Sequence, residues 1–137
     1  MHTMSIITPI IEGLLLHATA KALATSKDGD INVVPVSTIK VVDDTIWLVD
    51  YFMEKTRDNM QHNPNVSLVC RQDMIGYQIK GIVVYLRSGE LFDQACAWVQ
   101  PIHPDRTVQW LIVLKPSVVF DIGPAKNTEE EVEKILQ

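Results

Sequence analysis

Between Ala22 and Val49 the chain passes through three apolar stretches separated by sharp turn signals, a pattern of strands rather than helices. Ala22-Leu23-Ala24-Thr25 reads as a strand. Ser26-Lys27-Asp28-Gly29-Asp30 reads as a turn, with Asp-Gly its strongest signal, because tight hairpin turns need residues that tolerate positive φ. Ile31 to Val42 is β-branched almost throughout, which favours an extended strand over a helix. Asp43-Asp44 breaks that run before another strand, Thr45 to Val49. The three strands read as an antiparallel meander.

The rest of the chain continues the alternation of short strands and short helices. Ile6 to His17 reads as a helix lying on a core, with Thr8 as its cap and Pro9 at its first position. Thr56 to His62 is a short polar helix stopped by Asn63-Pro64-Asn65. Val66 to Arg71 and Ile75 to Leu86 are strands, the second broken at Gly81 by a bulge or a close backbone approach. Ser88-Gly89-Glu90 opens a helix that runs to about Trp98, and Pro101 and Pro104 mark an irregular link. Thr107 to Leu114 and Ser117 to Ile122 read as a closing pair of strands, and Thr128 with Glu131 forms a capping box before a last helix. The expectation is one mainly β (α+β) domain over residues 1–137, an antiparallel barrel of six to seven strands with short peripheral helices. So many short strands leave little interior volume, so a large ligand would sit on the barrel surface or between subunits.

Charge narrows the functional classes. The net charge of -5 argues against a general nucleic-acid binder, because neutralising phosphates needs a basic face. The apolar start, Met1 to His17, has no basic residue before its apolar run and contains Pro9, Glu12 and Gly13. It reads as neither a signal peptide nor a spanning helix, and a cytoplasmic protein with no membrane partner is the expectation. Cys70 and Cys96 make no metal-ligand spacing with the four histidines, so no metal site is expected. Two unpaired thiols fit a reducing compartment, and Cys70, in an apolar run, reads as buried and inert.

No nucleophile–base pair, glycine-rich phosphate loop or zinc-protease motif is present, and the catalytic residues are not identifiable. What stands out is position. The strand Ile46 to Val49 runs into Asp50-Tyr51-Phe52-Met53 and then into Lys55-Thr56, at the first turn of a helix. A helix start exposes unpaired N–H groups and the positive end of the dipole, and an ammonium and a hydroxyl there make a phosphate seat. Two aromatic rings just upstream could flank a flat ligand. The plainer alternative is a solvated helix start, with Arg57 a solvated helix residue. Val33-Val34-Pro35-Val36-Ser37 is the second candidate, since a proline in a strand diverts backbone groups from the ladder. Gly76 to Gly81 is the third: Gln78 and Lys80 share one face of a strand, either solvent-facing or lining a ligand site.

These three segments, in this order and spacing, resemble the FMN-binding split barrels of the pyridoxamine 5'-phosphate oxidase-like superfamily, and most closely its small single-domain FMN-binding members. The resemblance covers about Leu23 to Phe92, with a looser match beyond. It implies a split barrel that forms a homodimer with FMN at the subunit interface. It places the FMN phosphate on Lys55 and Thr56, the flavin ring on Val34, Pro35, Val36 and Ser37, and the ribityl chain and ring on Asp50, Tyr51 and Phe52. The partner subunit is expected to contribute through Gln78 and through Trp98 or Trp110, and Lys80 is a candidate cation near the flavin.

The resemblance implies an FMN-dependent oxidoreductase or electron carrier whose small-molecule or protein redox partner is not legible. True pyridoxamine phosphate oxidases carry a C-terminal Arg/His set for the substrate phosphate. The end of this chain, DIGPAKNTEEEVEKILQ, is acidic, so vitamin B6 phosphate oxidation is not expected. The alternative is a binding module for FMN, haem or a deazaflavin, with His62 or His103 as haem ligand, or a dimer with no ligand at all.

Overall fold

In a computed structural model, which describes residues 6–124, seven strands form one antiparallel sheet in the order β2-β1-β5-β6-β7-β4-β3. The strands are β1 (Ala20–Lys27), β2 (Asp30–Pro35), β3 (Ile39–Val42), β4 (Thr45–Asp50), β5 (Asn65–Gln72), β6 (Ile75–Leu86) and β7 (Trp110–Asp121). Three short helices accompany them: α1 (Pro9–His17), α2 (Glu54–His62) and α3 (Glu90–Val99). The architecture is mainly β with seven antiparallel strands, as the strand pattern leads one to expect, and it is consistent with the split barrel that the resemblance implies. The expected helix in the acidic tail lies outside the described residues.

Every strand but β2 sends buried side chains into one apolar interior. Leu23, Ile39, Leu48, Leu68, Ile79 and Ile112, from six different strands, belong to the same cluster, joined by Leu14 and Leu15 of α1 and Met60 of α2. A sheet whose strands all contribute one face to one core must curl around it. Strands β4 and β7 are buried on their other face as well, where Trp47, Leu111 and Val113 pack with Ala95 of α3. That double burial explains why Ile46 to Val49 reads as continuous apolar sequence rather than as an alternation.

The local signals work as expected at the turns. Asp28 and Gly29 both have positive φ, 51° and 83°, and join β1 to β2. Asp43 and Asp44, at 48° and 60°, join β3 to β4 in the same way. Thr8 caps α1 by accepting from the Ile11 N–H, with Pro9 at the helix start.

Two strand expectations are corrected. Residues 31–42 are not one strand, and residues 22–49 do not form the expected meander. The run divides at Pro35 into β2, which pairs with β1, and β3, which pairs with β4, so consecutive strands become the two outer edges of the sheet. Pro35 has no N–H to give a ladder, and the Val36 N–H turns back to the Lys21 carbonyl at 3.0 Å. The expected closing pair at 107–122 is instead one strand, β7, both halves of which pair with β6. Pro116 does not end it, because a register shift between Lys80 and Gly81 sets Gly81 opposite Pro116. A Cβ on Gly81 would overlap the Lys115 carbonyl oxygen and come within 3.0 Å of Pro116 Cα, so the close backbone approach expected at this glycine is present.

Candidate functional site

Asp50 ends β4 with its side chain turned inward, 1% exposed. One carboxylate oxygen accepts from the Met53 N–H at 2.6 Å and shapes the turn into α2. The other lies 3.7 Å from an Arg57 guanidinium nitrogen and has no hydrogen-bond partner. A buried carboxylate oxygen without a donor is costly, so this atom is a natural acceptor for a ligand hydroxyl or N–H. The N-cap of α2 is Met53, whose side chain offers no oxygen to the first turn, so the helix begins without a side-chain cap. Its first N–H groups and its dipole therefore point outward unblocked.

Lys55 stands at this helix end, exposed, with its ammonium 3.1 Å from the Asp30 carboxylate. Both partners are open to water, so the pair is weak and easily exchanged for another anion. Thr56 differs: it is 1% exposed, and its hydroxyl accepts from Asn32 Nδ2 at 3.0 Å. Asn59, equally buried, donates to the Thr25 hydroxyl. These two bonds stitch α2 to the β1–β2 hairpin and so fix where its N-terminus points.

Tyr51 links this turn to the Pro35 segment. Its hydroxyl lies 3.2 Å from the hydroxyl of Thr38, the residue that follows Ser37. Arg106 sits over the Tyr51 ring, 5.2 Å from its centroid, and His103 meets it edge-on at 6.3 Å. Phe52 is 87% exposed. Along the segment itself, Val34 packs on the core and Val36 is buried in it, while Pro35 and Ser37 are exposed. Pro35 and Ser37 line a groove of about 550 Å³ together with Val69 and Arg71. Beyond it, β3 has a partner on one side only, which leaves a row of backbone groups open along the sheet edge.

Asp50, Tyr51, Phe52, Lys55 and Thr56 thus share one turn, and Thr38 brings the end of the 34–37 segment to it. Gln78 is elsewhere. It donates to Ser67 at 2.9 Å on the outer face of the sheet, in a groove of about 560 Å³ with Ile31, Lys80 and Val118. Lys80 lies over Phe120 there. Trp98 packs on the cluster under α3 and faces the Lys40 ammonium.

Trp110 meets Tyr85 edge-on at 5.1 Å and carries Arg57 and Arg87 over its ring at 5.7 and 5.4 Å. Arg57 is therefore not the solvated residue its sequence context indicated. Neither it nor Thr38 carries a local signal, because Trp110 and Tyr51, which they meet, belong to other elements of the chain.

Cys70 is fully buried, and burial pushes its thiol up to about 11, so it stays protonated. His62 binds the Asp58 carbonyl through Nδ1 at 2.9 Å and closes α2. Among the described residues no three His, Cys, Asp or Glu side chains gather as a metal site, and no helix is long and apolar enough to cross a membrane.

Comparison with known proteins gives concordant results. The family model for pyridoxamine 5'-phosphate oxidase matches residues 7–123. An uncharacterised protein of Methanocaldococcus jannaschii, MJ0282, is 34% identical, with 72% of this chain and 70% of that protein covered. Among solved structures, an FMN-binding protein from Syntrophomonas wolfei superposes with a TM-score of 0.74 at 15% identity, covering 84% of this chain and 85% of that one. HutZ, the haem storage protein of Vibrio cholerae, superposes with a TM-score of 0.67 at 17% identity, covering 86% and 95%. At these identities the two structures speak for the fold.

Proposed function

The chain belongs to the pyridoxamine 5'-phosphate oxidase family, and from that premise we propose that it is a single-domain FMN-binding flavoprotein that works as a homodimer. The observation that carries the reading is the α2 start: an uncapped helix N-terminus beside an exposed lysine, held in place by a buried carboxylate with one oxygen that has no hydrogen-bond donor. In this assignment the N–H groups of α2 and the Lys55 ammonium take the phosphate. The Asp50 oxygen that faces Arg57, which has no hydrogen-bond donor of its own, accepts from a ribityl hydroxyl. The flavin ring lies along Pro35 to Ser37 and the open β3 edge, with Tyr51 and Phe52 at its side.

Thr56 serves this seat through its backbone N–H. Its hydroxyl, already engaged by Asn32, holds the helix in place. Bound FMN supplies hydride or single-electron transfer, and the protein supplies position and exclusion of water. The dimer is proposed on the outer sheet face, where Ile31, Val33, Val118 and Phe120 are 72%, 61%, 38% and 46% exposed around Gln78. Gln78 would there approach the FMN of the other copy. Vitamin B6 phosphate oxidation is not part of the proposal.

The test is an absorption spectrum of the purified protein, with added FMN and then with NADH or NADPH. Flavin bands that bleach with a reductant support the reading, and a protein that stays colourless in excess FMN overturns it. Lys55→Ala is expected to weaken FMN binding about tenfold, roughly 1.4 kcal/mol. A Soret band would instead favour haem, the second reading, for which the half-buried His103 against Tyr51 is the candidate ligand.

A further inference from the structure

The chain has four arginines, and three of them converge on two rings at one end of the barrel. Arg57 and Arg87 lie over Trp110, and Arg106 lies over Tyr51. This is a concentration of positive charge in a protein of net charge -5. Arg57 balances the buried Asp50. Arg87 and Arg106 are exposed, and among the described residues neither has a carboxylate within ion-pairing distance. A guanidinium within about 6 Å of an aromatic ring is attracted to the ring and still has N–H groups free to bind an anion. Its side-chain entropy is already partly spent, so less is lost when a carboxylate binds. Beside these residues Phe52 stands 87% exposed and Ile102, in the loop before Arg106, 52%.

We propose that the face formed by Arg57, Arg87, Arg106, Trp110, Tyr51 and Phe52 docks the acidic surface of a partner protein. Arginine, tryptophan and tyrosine are the residue types that carry most binding energy in protein interfaces, and here they are adjacent, with an exposed phenylalanine as apolar anchor. The charge on the face is opposite to that of the chain as a whole, so a negatively charged partner is steered to this surface and repelled from the rest. The face adjoins the Asp50–Tyr51 turn, so a docked partner stands beside the proposed flavin site. The docking itself needs no flavin, and it is open to test on the apoprotein as well as the FMN-loaded protein.

The experiment measures fluorescence anisotropy of a labelled glutamate-rich peptide titrated with the full chain. The chain has three tryptophans, so the difference in emission change between the full chain and its Trp110→Phe variant serves as the local readout, and inorganic pyrophosphate is run as a competitor. The peptide is expected to bind, to weaken about tenfold between about 0.05 and about 0.5 M salt, and to perturb tryptophan emission. Arg87→Ala with Arg106→Ala, both at exposed positions, is expected to weaken binding about tenfold or more, and Lys115→Ala to leave it unchanged. The proposal is overturned if the peptide does not bind, if the arginine pair makes no difference, or if pyrophosphate binds where the peptide does not. It is equally overturned if the arginine variants abolish self-association, which would make this face a contact between copies.

Discussion

Gly81→Ala tests whether the backbone approach at the β6–β7 bulge holds the barrel in register. A β-carbon at residue 81 would overlap the Lys115 carbonyl oxygen and lie 2.9 Å from the Lys115 carbonyl carbon and 3.0 Å from Pro116 Cα. All three are backbone atoms, so no rotamer change relieves the clash. Strand β7 must retreat by about an ångström to reach ordinary contact, and its ladder to β6 stretches on both sides. Overpacking of this kind costs about 1–3 kcal/mol. Loss of one or two ladder bonds adds about 0.5–1.5 kcal/mol each. The expected destabilisation is about 3 kcal/mol, or about 10 °C in Tm for a domain of this length.

Urea unfolding without FMN, at one fixed protein concentration, measures it free of ligand effects and with the contribution of assembly held constant. Gly76→Ala is the matched control. Its nearest neighbour is a side-chain carbon of Ile122 at 3.1 Å, which can move, so a loss of about 1 kcal/mol is expected there. A Gly81→Ala loss below about 1 kcal/mol, or equal to that of Gly76→Ala, would refute the argument.

Two further outcomes follow from buried groups. Asp50→Ala frees the Met53 N–H and leaves Arg57 without its counter-charge, for an expected loss of about 2–4 kcal/mol. In that background Arg57→Leu should cost less than it does alone, and strictly additive losses in the urea cycle would exclude the pairing. Burial raises the Cys70 thiol from 9.0 to about 11, so the folded protein holds that proton more tightly than the unfolded chain does. The corresponding stability is fully present below pH 9 and is lost as pH rises to about 11, by up to about 2–3 kcal/mol. Denaturation across that window should show a fall that Cys70→Ala flattens; an equal fall in both proteins would rule out the thiol as its source.

Local chemistry made much of the fold legible. Asp28-Gly29 and Asp43-Asp44 mark their hairpins because positive φ is a property of the residues themselves, and Thr8-Pro9 marks the start of α1 for the same kind of reason. What failed was long-range. Pro116 looks like a strand end, and only Gly81, thirty-five positions earlier, lets β7 continue through it. Pro35 signals a break, but nothing nearby says that the strand after it pairs with β4 at the far edge of the sheet.

The candidate site divides in the same way. Lys55 at a helix start is visible from its neighbours. That Thr56 is taken up by Asn32, and that Arg57 lies between Asp50 and Trp110, depends on how separate strands are brought together. Gln78 shares a strand face with Lys80 as expected, but on a different side of the protomer from the other candidates.

The division at Pro35 also bears on how this protein avoids sticking to itself through its strands. Strand β2 is an edge of the sheet, the kind of rim that recruits another chain's backbone. It runs for only six residues, the last of them a proline with no donor, and the other edge, β3, for only four. A foreign strand finds a ladder too brief to grow on. Replacing Pro35 with a β-branched residue would lengthen that template, and the damage would appear as fibrils or precipitate on storage while the folded protomer remained stable.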